Sequence, residues 1–205
     1  LACYGGRFEA GLDAQGAQVT DDAFLSAEGE HRFHASVPVS LRCADIGGQL
    51  ACNGGRFEAG LDAQGARVTG DVFLRAEGEH RFHASVPVSL RGAEIGGQLD
   101  CNGGRFEVNE GNALDLQEAA VKGTFFWWEV EADVQTVVFD SAHVGQLFDD
   151  AKSWQQLRAM ELNSFTYDSL DGTALDPALR LEWMKKSGQG RPFEPQPYQQ
   201  LAKVL

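Results

Sequence analysis

Gly65-Ala66-Arg67-Val68-Thr69-Gly70-Asp71-Val72-Phe73-Leu74 and Gly92-Ala93-Glu94-Ile95-Gly96-Gly97-Gln98-Leu99-Asp100-Cys101 share one text. Both read G-A-x-V/I-x-G-x-V/L-x-L/C. Apolar residues take every second place, Ala66 and Val68 and then, after Thr69-Gly70, Val72 and Leu74. A period of two is the strand period, and glycine at the break supplies a corner. The two copies stand 27 residues apart. Very short strands with glycine corners, recurring at this distance, describe a chain that winds into a parallel β-solenoid. Each turn then hydrogen-bonds to the next at about 4.8 Å along the axis.

A longer repeat encloses this one. Gly5-Gly6-Arg7-Phe8-Glu9 returns at Gly54 and again at Gly103, a period of 49 residues. Residues 5–53 and 54–102 differ only at 18/67, 21/70, 23/72, 26/75, 43/92, 45/94 and 51/100. The 49-residue unit therefore contains two rungs of about 22 and 27 residues. A fixed period of this kind is the mark of a stackable unit. Helical spacing is missing from the repeats, and each interior glycine would cost a helix about 1 kcal/mol relative to alanine. In the third copy Glu107-Val108-Asn109-Glu110-Gly111-Asn112-Ala113-Leu114 replaces the shorter Glu58-Ala59-Gly60-Leu61, so the earlier copies turn one corner more tightly.

Composition narrows the function classes. The chain has 205 residues, 17 Lys+Arg against 30 Asp+Glu, a net charge of −13 and four cysteines. Such a surface is unsuited to direct contact with nucleic-acid phosphates or anionic lipid. Four cysteines are too few for a disulfide scaffold, and the file Cys3, Cys52, Cys101 repeats every second rung, beyond disulfide reach. These three read as small buried apolar groups and Cys43 as a free thiol at a corner, which fits a cytoplasmic protein. The longest apolar run, Phe125-Phe126-Trp127-Trp128, is far too short for a membrane span. The chain starts mid-repeat at Leu1-Ala2-Cys3 without methionine, which reads as a fragment whose first rung is open to self-association.

The phase of the ladder assigns the faces. Phe73 aligns with Asp100, while Val72 aligns with Leu99 and Leu74 with Cys101. An unpaired carboxylate in an apolar core is costly. Phe73 therefore points outward, in a row with Phe24 and Phe126, either beneath loops of the adjoining rung or as a partner surface. By the same phase Trp127 plugs the interior, and Trp128 lies outside, where a terminal cap covers it or a partner meets it. Acidic rows repeat as well: Glu9/Glu58/Glu107, Asp13/Asp62/Asp115, Glu28/Glu77, Glu30/Glu79 and Asp45/Glu94. All five lysines follow residue 103. The rows read as solubilising faces or as a negative rod for a basic groove.

Candidate chemistry is sparse. His31-Arg32-Phe33-His34 returns as His80-Arg81-Phe82-His83, but an extended backbone sends the two imidazoles of each copy to opposite sides. No C-x-x-C metal spacing and no dinucleotide fingerprint occur. Asp140, His143, Asp149 and Asp150 are the carboxylate–histidine group in the unrepeated region, with no nucleophile and no basic cluster for a uronate beside them.

The tail departs from the repeat after about Leu147. Arg158 to Tyr167 reads as a last irregular rung. Asp176-Pro177 offers an N-cap and a first helical residue, with Leu175, Leu179 and Trp183 spaced i, i+4, i+8, Lys185 and Lys186 in the last turn and Gly188 as terminator. A second helix starts near Pro197 and runs through Leu201 and Val204. The expected organisation is a solenoid over residues 1–167 and an α-helical cap over 168–205 that covers exposed strand edges.

Residues 92–106, the run Leu114-Asp115-Leu116-Gln117 with Val121 and Gly123, and the tail segments Ser164-Phe165-Thr166-Tyr167-Asp168, Arg180-Leu181-Glu182-Trp183 and 195–202 resemble a family of uncharacterised bacterial β-helix repeat proteins. These are distant pentapeptide-repeat relatives, often automatically labelled membrane-associated oxidoreductase. The resemblance implies a right-handed β-helix with a helical cap and brings no catalytic residue.

The sequence thus points first to a non-enzymatic scaffold or interaction module with no cofactor, metal or catalytic residue. Phe24, Phe73, Phe126, Trp128, Glu28, Glu30, Glu77 and Glu79 are its partner-surface candidates. A DNA-mimic that binds a nucleic-acid enzyme such as a type II topoisomerase is the first alternative. A carbohydrate-active β-helix enzyme is the second.

Overall fold

The computed structural model describes residues 1–108, 111–132, 135–172, 177–187 and 193–204. Its sheets are all parallel and run along the axis of one β-solenoid of about seven turns. On the second of its faces, Leu12, Val39, Leu61, Val88, Leu114, Val137 and Met160 stand in register, so successive turns take 27, 22, 27, 26, 23 and 23 residues. The alternation of 22 and 27 is the one written in the repeat. The step from Ala84 to Phe106 on the first face is still 22 residues, so the insertion of the third copy enters between Phe106 and Leu114. Asn109 and Glu110 of that insertion lie outside the described residues.

Strands of two residues suffice because each strand bonds to rungs on both sides. The first face is built from Arg7–Phe8, His34–Ala35, Arg56–Phe57, His83–Ala84 and Arg105–Phe106. The third face begins as two short runs per rung, such as Arg67–Val68 and Val72–Phe73, separated by a bend. From Ala120–Trp127 onward the two runs fuse into single strands, His143–Asp149 and Thr166–Gly172 being the next two. At the bend the neighbouring backbones almost touch: a Cβ built on Gly96 would lie 2.1 Å from the Thr69 carbonyl oxygen.

One corner is left-handed in every turn. Gly16, Cys43, Gly65, Gly92, Glu118, Ser141 and Ser164 have φ between 52° and 67°. The N–H of each of the first four is pinned to the rung above, as in Cys43 N–H to Gln64 O at 2.9 Å and Gly92 N–H to Gln117 O at 2.8 Å. A side chain in this region costs about 1–2 kcal/mol. Gly92 occupies the position of Cys43 one unit later in the same geometry. Cys43→Gly is therefore expected to raise stability by about 1 kcal/mol, read as a higher urea midpoint with an unchanged slope.

The core is a column of aromatic rings. Phe8, Phe33, Phe57, Phe82, Phe106, Trp127 and Trp154 follow one another with centroids 5.3 to 5.5 Å apart, and Trp183 continues the file at 6.0 Å. Such offset contacts favour aromatic pairs beyond simple burial. Phe57 stands in register with Ala35 and Ala84 on either side. The rings of Phe33 and Phe82, two residues earlier in those rungs, fill the space their alanines leave.

The end of the solenoid differs from the sequence expectation in three ways. Residues 158–167 are not irregular, because Ala159–Glu161 and Thr166–Gly172 pair in register with the turn before. The final strand thus continues past residue 167. A short helix, α1 (Ala151–Gln155), takes the place of a first-face strand in the last turn; Asp150 caps it by accepting the Ser153 N–H at 2.7 Å. The next helix, α2 (Pro177–Ser187), buries Arg180, Trp183 and Met184, while Leu179 is 38% exposed. The buried face is rotated from the expected Leu179–Trp183 line because Arg180 must reach Asp149. Leu175, Asp176 and Gly188 fall outside the described residues.

Side chains of the cap replace the missing next rung. From α3 (Gln196–Val204), Gln200 donates to Tyr167 O at 2.6 Å and Gln196 to Phe165 O at 3.0 Å. Lys186 of α2 donates to Gln155 O and Leu157 O at the end of α1. Two carbonyls of the final turn and two at the end of α1 thereby gain partners.

Candidate functional site

Outward residues of the third face form the column Phe24, Ala51, Phe73, Asp100, Phe126 and Phe148. The three predicted phenylalanines do point outward, and each is covered differently. Phe73 is 9% exposed, with the Arg75 guanidinium 4.6 Å from its ring centroid. Arg75 is held there by Asp100 at 3.2 Å. Phe24 packs on Tyr4 at 4.9 Å, and Phe126 and Trp128 both rest on Phe148 at 5.3 Å. Side chains therefore cover the row. Trp128 is half-buried against Phe148 and borders α1, while Trp127 is fully buried as the phase requires.

Four of the seven differences between the first two units fall into two ion pairs. Ser26 and Ala51 become Arg75 and Asp100; Gln18 and Asp45 become Arg67 and Glu94, whose side chains meet at 3.2 Å. Each pair of changes sits on adjacent rungs, where opposite charges support one another.

Most acidic rows have local partners. On the first face Arg7, His34, Arg56, His83 and Arg105 alternate up one column. Glu58 binds Arg56 at 2.7 Å and His34 at 3.1 Å, and Glu107 binds His83 at 2.8 Å. The Arg56 and His34 hydrogen bonds hold the Glu58 carboxyl below its usual range. Burial, opposed by Glu107, lowers the His83 imidazole. Asp13, Asp62 and Asp115 each accept the backbone N–H two residues on at 3.0 Å, closing the corner after the second face. Asp62 also pairs with Arg42 at 2.9 Å. These carboxylates are therefore paired with Arg or His or bonded to backbone N–H groups, which tempers the field of the acidic faces without removing their charge.

Glu28, Glu30, Glu77 and Glu79 are the exception. The segments 28–31 and 77–80 are identical exposed turns, closed by reciprocal hydrogen bonds between Glu28 and His31 and between Glu77 and His80. All four glutamates are exposed. Glu77 accepts one bond from Asn53 at 3.2 Å. The two turns sit two rungs apart, about 10 Å along the axis.

The carboxylate–histidine group of the last turns is not assembled into a site. Asp140 and Asp149 flank opposite ends of the strand His143–Asp149. His143 faces outward and meets Thr166 at 3.0 Å. Asp150 accepts from Glu129 N–H and from the Ser153 N–H and hydroxyl, all at 2.7 Å. Asp149 is fully buried in a bidentate pair with Arg180, at 2.6 and 2.7 Å, and accepts the Trp154 indole N–H. Burial raises its pKa, while Arg180 and Trp154 oppose the rise. Sequence reasoning missed Arg180. Its signal was the register of Asp149 with Trp127, an inward position that demands a buried counter-charge.

Cys52 and Cys101 are buried, and burial pushes both thiols up; Cys43 is exposed. His34 and His83 lie on the outer face, whereas His31 and His80 belong to the turns. Among the described residues no cluster of His, Cys, Asp and Glu has metal-site geometry, and no helix is long and apolar enough to cross a membrane. Comparisons with protein-family models, curated proteins and solved structures return no match.

Proposed function

We propose that this chain is a cytoplasmic, non-enzymatic interaction scaffold that offers a basic protein partner two acidic turns at fixed spacing. The exposed pair Glu28/Glu30 and its copy Glu77/Glu79 carries this reading. The other acidic rows are engaged by Arg, His or backbone N–H groups, while these turns repeat the same exposed carboxylates two rungs apart. Rigidity matters because a preorganised surface loses little entropy on binding. The candidate acid–base residues serve the fold, which favours binding over catalysis. Kinship with the uncharacterised bacterial β-helix proteins is part of the same proposal and adds no activity to it.

A purified, tagged chain serves to isolate partners, and the recovered partner is titrated against the variant with Glu28, Glu30, Glu77 and Glu79 all changed to Gln. Affinity is expected to fall at least tenfold and to weaken with salt for the parent chain. Equal affinity for both chains overturns the role of the turns. The net charge of −13 favours one second reading, a DNA-mimic that occupies the basic groove of a type II topoisomerase. Salt-sensitive inhibition of supercoiling at micromolar protein supports it; no inhibition removes it.

A further inference from the structure

The first-face ladder stops where α1 begins, and the substitution opens a cleft. A rung occupies about 4.8 Å along the axis, whereas a helix with its side chains is roughly 10 Å across. The resulting hollow of about 570 Å³ lies between Arg81, Trp128, Glu129 and Glu131 on the solenoid and Lys152 on α1 with Gln156 at its C-cap. That volume is within the range of small-molecule sites.

Its floor is fixed. Asp150 holds the Glu129 N–H at 2.7 Å, the Ser153 hydroxyl oxygen accepts the Val130 N–H at 3.0 Å, and the Gln156 amide donates to Val130 O. One wall is pinned by the Arg81–Glu131 pair at 2.5 Å. The groups left to meet a ligand are the Trp128 indole, the exposed Lys152 ammonium, the exposed Glu129 carboxylate and the Gln156 amide oxygen. An aromatic surface beside one free donor cation and two free acceptors matches a ring with apolar C–H faces and hydroxyls on its rim. A net anion meets Glu129 and Glu131, and a purely apolar ligand strands Lys152 and Glu129. From this geometry we infer that the Trp128 cleft is a binding site for a neutral sugar ring of an oligosaccharide. Glycosidic cleavage calls for a pair of carboxyl groups, and here the oxygens of Asp150 already take three donors and Glu131 is paired with Arg81, which leaves Glu129 as the one unengaged carboxylate among the described residues that line the cleft. Its wall residue Arg81 directly follows the second acidic turn, but none of Glu28, Glu30, Glu77 and Glu79 lines the cleft, and the inference goes beyond the scaffold reading.

The test titrates the whole chain with cellohexaose, chitohexaose and maltohexaose, with hexagalacturonate as the anionic counterpart, following tryptophan emission and heat. At least one neutral hexasaccharide is expected to bind. Trp128→Ala is expected to weaken it at least tenfold with an unchanged circular dichroism spectrum. Lys152→Ala, on the exposed side of α1, should weaken it several-fold and keeps the test decisive if the tryptophan variant misfolds. The Glu28/Glu30/Glu77/Glu79 variant should bind sugar normally, so the two proposals fail separately. No binding of any neutral sugar at about 10 mM, preference for hexagalacturonate, or affinities indifferent to both Trp128→Ala and Lys152→Ala overturns the inference.

Discussion

Arg180→Met is expected to destabilise the protein by about 3–5 kcal/mol, because it leaves a carboxylate buried without its counter-charge. Asp149 is 0% exposed and Arg180 1%, and the pair joins the last turns of the solenoid to α2. The Trp154 indole N–H remains as a donor but carries no charge to offset the buried anion. The pH dependence has a defined sign. Burial already raises the Asp149 pKa above 3.8, so the folded state takes up this proton more readily than the unfolded chain, and loss of Arg180 raises it further. The deficit of the variant relative to the parent is therefore largest near neutral pH and shrinks as pH falls through the folded-state pKa. Replacing both partners, as Asp149→Leu with Arg180→Met, should recover most of the loss, since apolar groups of similar volume often match a buried ion pair. Urea melts of the three chains at several pH values decide it. A single variant within 1 kcal/mol of the parent, or a double variant no better than the single, sinks this account of the cap.

The same residue shows where sequence reading stops. Solenoid, rung lengths and inward phase were legible because they rest on local periodicity repeated along the chain. Val72 and Leu74 against Leu99 and Cys101 is sufficient to place Phe73 outside. Its cover was not legible, because Arg75 and Asp100 meet only once two rungs have stacked. The charge rows were half legible for a related reason: Arg56, two residues before Glu58, is plain in the sequence, whereas His34 meets Glu58 only across the rungs. The irregular end gave the least. Helix α1 has five residues and no apolar period to announce it, and its place was defined only by the first-face column that it interrupts. The Trp128 cleft follows from that interruption: the residue was expected outside the solenoid, beneath a cap or against a partner, and the hollow beside it was not foreseen.

Phe57→Ala is expected to cost about 3–5 kcal/mol, the range for truncating a fully buried phenylalanine. Phe57 is 0% exposed, with rings 5.3 and 5.4 Å away on its two sides. The alanines in register with it have no volume with which to close the gap, and the rungs above and below are fixed by main-chain hydrogen bonds of 2.8 to 3.0 Å. Collapse around the cavity is therefore limited, which places the cost high in the range. Phe8→Ala makes the comparison specific. Phe8 is only partly buried and has one ring neighbour, Phe33 at 5.4 Å, so its loss should cost about half as much. Stability in a stacked array is a sum of units and nearest-neighbour interfaces. A gap at the end removes one interface, whereas a gap in the middle weakens two and lets the N-terminal rungs melt separately. Phe57→Ala should accordingly lower the urea slope or split the transition as well as shift the midpoint, while Phe8→Ala shifts the midpoint alone. Equal costs and equal slopes for the two variants would show that the rings are independent fillers with no coupling along the axis.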